Sequence, residues 1–106
     1  MTQEASYEEI EKAKLNQETS QMNWLELQRY FAAGSLLWVD ASLDLIDVGF
    51  QMSQDNKAMF SQWLEQKLVT PVSDDQAAQW FDEKADVWTV VVKPWILVQR
   101  SSESLN

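Results

Sequence analysis

Cysteine and histidine are both absent from this chain of 106 residues. Without cysteine it can form no disulfide frame, no zinc–thiolate site and no thiol nucleophile. Without histidine it lacks the side chain best suited to proton transfer near neutral pH, which is also the commonest transition-metal ligand. A Ser-His-Asp or Cys-His machine therefore cannot be assembled within one chain. A carboxylate or metal mechanism is the catalytic route left, and no spacing of residues marks one.

Positive charge is also scarce. Eight Lys and Arg face 17 Asp and Glu, a formal charge of −9. The basic residues are scattered (Lys12, Lys14, Arg29, Lys57, Lys67, Lys84, Lys93, Arg100) and form no stripe that would neutralise phosphates, which excludes nucleic acid as the expected partner. An anionic membrane surface is disfavoured for the same reason. The opening "MTQEASYEEIEKAKL" has neither a basic n-region nor an apolar h-region, and no apolar run approaches the roughly 20 residues that span a bilayer. The expected compartment is the cytoplasm. With only two glycines and two prolines, there is no linker, repeat or low-complexity tract. What the chain has in surplus is tryptophan, at positions 24, 38, 63, 80, 88 and 95.

Residues 6–20, "SYEEIEKAKLNQETS", read as a helix from propensity and from the Glu8–Lys12 pair at i,i+4, with a thin apolar face of Tyr7 and Ile10. Asn23 with Glu26 three residues on resembles a capping box. Trp24, Leu27, Tyr30 and Phe31 then recur at helical spacing until Gly34. "SLLWVD" and "SLDLIDVGFQM" read as two strands of a hairpin about Ala41-Ser42, the second placing Ile46, Val48, Phe50 and Met52 on one face. Residues 55–68 form an amphipathic helix capped by Asp55, with Met59, Phe60, Trp63, Leu64 and Leu68 inward. Ser73 and Gln76 start a further helix that runs to about Lys84 and buries Ala77, Trp80 and Phe81.

The last segment, "DVWTVVVKPWILVQR", is apolar on both strand faces, which predicts an interior strand over Val87–Val92. A two-residue hairpin at Lys93-Pro94 conflicts with the positive φ that primed turns require, so a bend or bulge is expected there, with the chain after Pro94 nearer a sheet edge. The resulting order, ααββααβ(β), predicts an α+β fold: a small, mostly antiparallel sheet of three to four strands with helices packed largely on one side. Residues 1–22 are expected to form an acidic, lightly packed helical segment, 23–100 a single α+β domain, and 101–106 a disordered tail.

In "KLNQETSQMNWLELQRYFAAG", "LDLIDVG", "PVSDDQAAQW" and "WTVVVKPWILVQ", taken in that order, the chain resembles a bacterial family of short acidic cytoplasmic proteins classed as a domain of unknown function. The resemblance covers roughly residues 12–100. It implies a whole family domain and carries no catalytic residues to transfer.

Three groups of residues invite a functional reading. Asp40, Asp44 and Asp47 would bind Mg²⁺ or Ca²⁺ through oxygens, although "DASLDLID" lacks the glycine and terminal glutamate of an EF-hand loop. The structural account is preferred: Asp40 and Asp44 solvate a hairpin end, and Asp47 caps or pairs locally. Asp74 and Asp75 suit a helix start as well as an acid/base pair. The tryptophans fit either a core or an aromatic pocket for a cationic ligand. With no cofactor motif present, the expected function is non-enzymatic protein–protein interaction, self-association included, because Trp and Tyr are enriched at interface cores. Trp95, Ile96 and Leu97 are the candidate interface, as an unpaired apolar edge invites another chain. The alternative is a small-molecule or metal-binding module using a Trp-rich pocket with nearby carboxylates.

Overall fold

The computed structural model describes residues 6–100. The five helices α1 (Tyr7–Glu18), α2 (Trp24–Ala32), α3 (Leu45–Ser53), α4 (Lys57–Glu65) and α5 (Asp74–Glu83) are threaded among five strands. These are β1 (Ser20–Asn23), β2 (Leu36–Val39), β3 (Val69–Pro71), β4 (Asp86–Val92) and β5 (Trp95–Gln99). They make one sheet in the order β1-β4-β5-β2-β3. Every neighbouring pair is antiparallel except β2 with β5, which is parallel. The α+β class holds. The sheet has five strands rather than the expected three to four, and its parallel β2–β5 seam makes it mixed.

Alternation along the strands sends two sets of apolar residues to opposite faces. Leu36, Val87, Ile96 and Val98 pack with Trp24 and Leu27 of α2 and with Ala77 and Trp80 of α5. Leu37, Val39, Val90, Val92 and Leu97 pack with Leu45 and Val48 of α3 and Trp63 of α4, with Leu15 of α1 against them. Helices therefore cover both faces, which overturns the expectation that they lie largely on one. That double cover is why β4 and β5 read as continuous apolar runs.

"SLDLIDVGFQM" is not a strand. The Asp44 side chain accepts hydrogen bonds from the N–H groups of Ile46 (2.9 Å) and Asp47 (3.3 Å), which starts α3. Leu45, Val48 and Gly49 are then buried at i, i+3 and i+4, the helical period. A period-two pattern coincided with it over this short run. The Lys93-Pro94 pair is likewise a two-residue hairpin loop after all, closed by Val92 opposite Trp95. Neither Lys93 nor Pro94 has a positive φ, so the turn is not a primed one and the argument from primed turns did not apply.

Consequently β5 is the middle strand, not an edge. Its neighbours are β4 and β2, Ile96 is 9% exposed and Leu97 fully buried. The edges are β1, short and mostly polar, and β3, three residues ending in Pro71. Both are forms in which edge pairing is blunted. β1 also crosses the expected boundary at residue 22, since Ser20–Asn23 pair with Asp86–Thr89. Helix α1 has no buried residue, and it is tied to α3 by Lys12, whose ammonium lies 2.8 Å from Glu8 and 3.1 Å from Asp47. The expected tail at 101–106 lies outside the described residues, as do residues 1–5 of the N-terminal segment.

Four helices end alike. After α2, Gly34 N–H donates to Phe31 and Ser35 N–H to Tyr30. The same pair of bonds closes α3 at Asp55 and Asn56, α4 at Lys67 and Leu68, and α5 at Lys84 and Ala85. Each motif places one residue in the left-handed region: Gly34 (φ 76°), Asp55 (57°), Lys67 (61°) and Lys84 (52°). This is the Schellman arrangement, which glycine ordinarily completes. Three of the four here use a residue with a Cβ.

Candidate functional site

Helices α2 and α5 both open with complete capping boxes, Asn23 with Glu26 and Ser73 with Gln76. The end of α5 is fastened to the start of α2. Trp24 N–H donates to the Ala85 carbonyl at 2.8 Å, and the Asn23 side-chain amide donates to the Lys84 carbonyl at 3.0 Å. Between the helices Trp24 and Trp80 meet edge to face at 5.3 Å, and Trp24 also lies 5.6 Å from Phe31. One stripe of each helix faces the sheet. The adjacent stripes bound an open cleft of about 400 Å³. Trp24, Gln28 and Phe31, at i, i+4 and i+7, form the α2 wall, and Ala77, Ala78, Phe81 and Asp82 form the α5 wall.

The cleft is apolar at its floor and exposed at its rim. Trp24 is 1% exposed, whereas Phe81 is 51% exposed. The expectation that α5 buries Phe81 is thus corrected. Ala77 and Trp80 already fill the sheet-facing stripe, and Phe81 falls outside it. One lining residue, Asp82, is acidic. The two helices carry four further carboxylates, Glu26, Asp74, Asp75 and Glu83, and Arg29 is their one cation. Arg29 is engaged with Tyr30, its guanidinium donating to the hydroxyl at 2.8 Å and lying 4.8 Å from the ring centroid. Glu83 is held below the ordinary carboxyl range, first by the hydrogen bond from Gln79 and then by Arg100 at 2.9 Å.

A second, smaller concavity of about 150 Å³ lies where the β4–β5 turn meets the α3–α4 junction. Its apolar walls are Met52, Phe60 and Trp95, and Asp55, Lys57 and Lys93 stand around it. Lys57 reaches Asp55 only at 4.0 Å. Trp95 lines this pocket and packs against the core that holds Leu97, while Ile96 lies in the core on the other face of the sheet.

The three aspartates singled out in the sequence do not converge. Asp40 accepts from the Ser42 hydroxyl (3.0 Å) in the loop after β2, which the Gln99 side chain holds through the Asp40 and Leu43 carbonyls. Asp44 caps α3, and Asp47 pairs with Lys12 across to α1. Among the described residues no three acidic side chains come together as a metal-holding group. Asp74 and Asp75 sit in the first turn of α5, where the helix dipole favours them. Trp24, Trp63 and Trp80 are core residues, and Trp88 is 38% exposed beside Asn16 of α1 and Thr19, the residue that caps that helix. The cleft itself was missed in the sequence. Its available signal was the width of the apolar faces: Phe31 and Phe81, both assigned to the core, extend each helix beyond the one stripe that can meet the sheet.

A mixed five-stranded sheet between two helical layers, with an aromatic cleft on one layer, defines an α+β domain. The chain belongs to the family of proteins of unknown function designated DUF2288, whose pattern matches residues 10–100. It is similar to PA1075 from Pseudomonas aeruginosa, known from an NMR solution structure. The two are 36% identical, with 98% of this chain and 94% of that one covered and a TM-score of 0.77. A comparison with curated proteins finds no match. No described helix is long and apolar enough to cross a membrane.

Proposed function

We propose that this is a cytoplasmic, non-enzymatic protein-interaction domain whose contact surface is the α2–α5 layer. The observation that carries the reading is the half-exposed Phe81 standing over a cleft floored by Trp24 and Phe31. Aromatic anchors beside a preformed apolar depression are the usual composition of interface hot spots. The domain supports such a surface rigidly, because the helices are locked by the Trp24–Trp80 contact and by their shared junction at Lys84–Trp24.

The test is a photo-crosslinking side chain placed at Phe81 or, on the opposite layer, at the exposed Leu64, with irradiation in the host cell. A discrete protein adduct from position 81 and none from 64 is the expected result. Equal labelling from both positions, or none from 81, would refute the reading.

The second reading, a small-molecule module, is favoured by the concave pocket of Trp95, Phe60 and Asp55. At about 150 Å³ it is smaller than the roughly 300–1,000 Å³ sites that enclose drug-sized ligands, which ranks it second. Titration with small amine and carboxylate libraries, read at the Trp95 and Lys93 amides, tests it. Absence of any shift at both positions would remove it.

A further inference from the structure

We infer that the occupant of the α2–α5 cleft is a basic amphipathic helix of a partner protein, an inference that rests on the reading of this layer as the contact surface. Its shape comes first. The α2 wall is set by Trp24, Gln28 and Phe31, so the cleft follows two helical turns, about 10 Å at the usual rise per residue. The facing α5 wall supplies the two small residues Ala77 and Ala78, with Phe81 beyond them. A channel of this kind, low at the alanines and walled by aromatics, accepts a row of apolar side chains at i, i+3/i+4 and i+7. That row is what the apolar face of a helix presents when it lies in a groove. An added strand would instead need an open sheet edge, and the cleft is lined by residues of the two helices alone.

Charge then selects among helices. Asp82 lines the cleft itself, and Glu26, Asp74, Asp75 and Glu83 lie on the same two helices. Glu83 is paired with Arg100, and the other four outnumber the one cation within the helices, Arg29, which stays charged beside the neutral Tyr30. A second copy of this chain would set the same carboxylates against one another, and the charge of −9 adds to that repulsion. Nucleic acid and anionic lipid meet the same barrier. A helix carrying Lys and Arg beside its apolar row gains where these lose, and its approach is speeded by the opposite field.

The experiment uses the full chain, ¹⁵N-labelled, and three fluorescein-labelled 18-residue peptides. The first is helical, with Leu at i, i+4 and i+7 and Lys or Arg flanking; the second has Glu for every Lys and Arg; the third is the first with its order scrambled. The expected result is saturable binding of the first peptide alone, with amide shifts centred on Gln28, Ala77, Ala78 and Asp82. Binding should weaken about tenfold or more in Phe81→Ala, the loss expected for a hot-spot aromatic. It should also weaken in Asp82→Lys and with added salt. Both side chains border solvent, so unchanged melts of the two variants certify folding.

Equal binding of the scrambled peptide, or shifts spread over α1 and α4 as strongly as over α2 and α5, would overturn the inference as mere charge attraction. Tighter binding of the Glu peptide in the cleft would overturn the basic partner while leaving the surface in place. No shift with any peptide, together with an adduct at position 81 in cells, would overturn the helix and keep the interaction surface. No shift and no adduct would remove both.

Discussion

The two glycines should respond to the same substitution with opposite signs. Gly34 occupies the left-handed position after α2 at φ 76°, and an added Cβ there would meet nothing within 4 Å. Its cost is then purely conformational, about 1–2 kcal/mol for an L-residue in that region. A stiffer unfolded chain returns about 0.4–1 kcal/mol of this, leaving Gly34→Ala destabilised by about 1 kcal/mol. Gly49 lies inside α3 with Leu15 Cδ1 and Val92 Cγ2 each 3.5 Å from an added Cβ, and Leu97 Cδ1 3.8 Å away. These are ordinary contact distances, so a methyl fits without displacing a neighbour. Ala is favoured over Gly in a helix by about 0.8–1 kcal/mol, and burial of a methyl adds about 0.8 kcal/mol. Gly49→Ala should therefore stabilise by about 1–2 kcal/mol. Larger side chains at 49 would push α3 from the sheet. Urea unfolding followed by far-UV circular dichroism measures both variants, and in a domain of this size about 1 kcal/mol moves the melting temperature by roughly 4–8 °C. If the two alanine variants shifted the same way, either the left-handed turn at Gly34 or the spacing of α1, α3 and the sheet would be misassigned.

The remaining expectations concern the core, the caps and pH. Trp24→Ala and Trp80→Ala should each cost about 3–5 kcal/mol as buried aromatics. The double variant should cost less than their sum by about 0.5–1.5 kcal/mol, the worth of the edge-to-face pair. Strict additivity by denaturant titration would mean the rings do not touch. Asp44→Ala should lose about 0.5–2 kcal/mol through the α3 cap. Melts of the parent with EDTA and with millimolar Mg²⁺ or Ca²⁺ should nearly coincide, whereas a rise of many degrees with one ion would identify a metal site. Glu83 has a depressed folded-state pKa, so its contribution is present above the ordinary value near 4.5 and is lost as pH falls through the lower folded value. Glu83→Gln should accordingly remove part of the acid-side decline in stability, and an unchanged profile would place Glu83 free in solvent.

Helix starts were the most legible part of the sequence, because side chain and backbone are tied there within three residues. Asn23/Glu26 and Ser73/Gln76 marked α2 and α5 correctly. For α4 the cap is Asn56 rather than Asp55, whose left-handed backbone ends α3 instead. The inward face of α4 was also drawn too wide, since Leu64 is 38% exposed. β4 was legible as interior, although Trp88 and Val91 each face solvent in part. What failed was non-local. Whether "LDLIDVGF" alternates or winds is decided by what covers it, and an aspartate at position 44 suits a solvated hairpin end as readily as the helix cap it forms. β1 and β3 carry three or four residues each, with little apolar pattern, and exist because β4 and β2 offer them partners. The position of β5 depended on pairing with β2, which lies more than fifty residues earlier in the chain. The cleft was hidden for a related reason: local periodicity finds the stripe that meets the sheet, and not which second stripes are left uncovered.

The place of β5 has a consequence for the order in which the molecule comes into being. A chain cut after Val92 could still pair β1 with β4, and β2 with β3. The two half-sheets then have no strand in common, because β5 alone pairs with both β4 and β2. Each half exposes a long apolar flank until the last strand slides between them, and long-range pairings of this kind form slowly. A chain shortened to Val92 would be two unjoined pieces, with the flanks of β4 and β2 open to chaperones or to another chain.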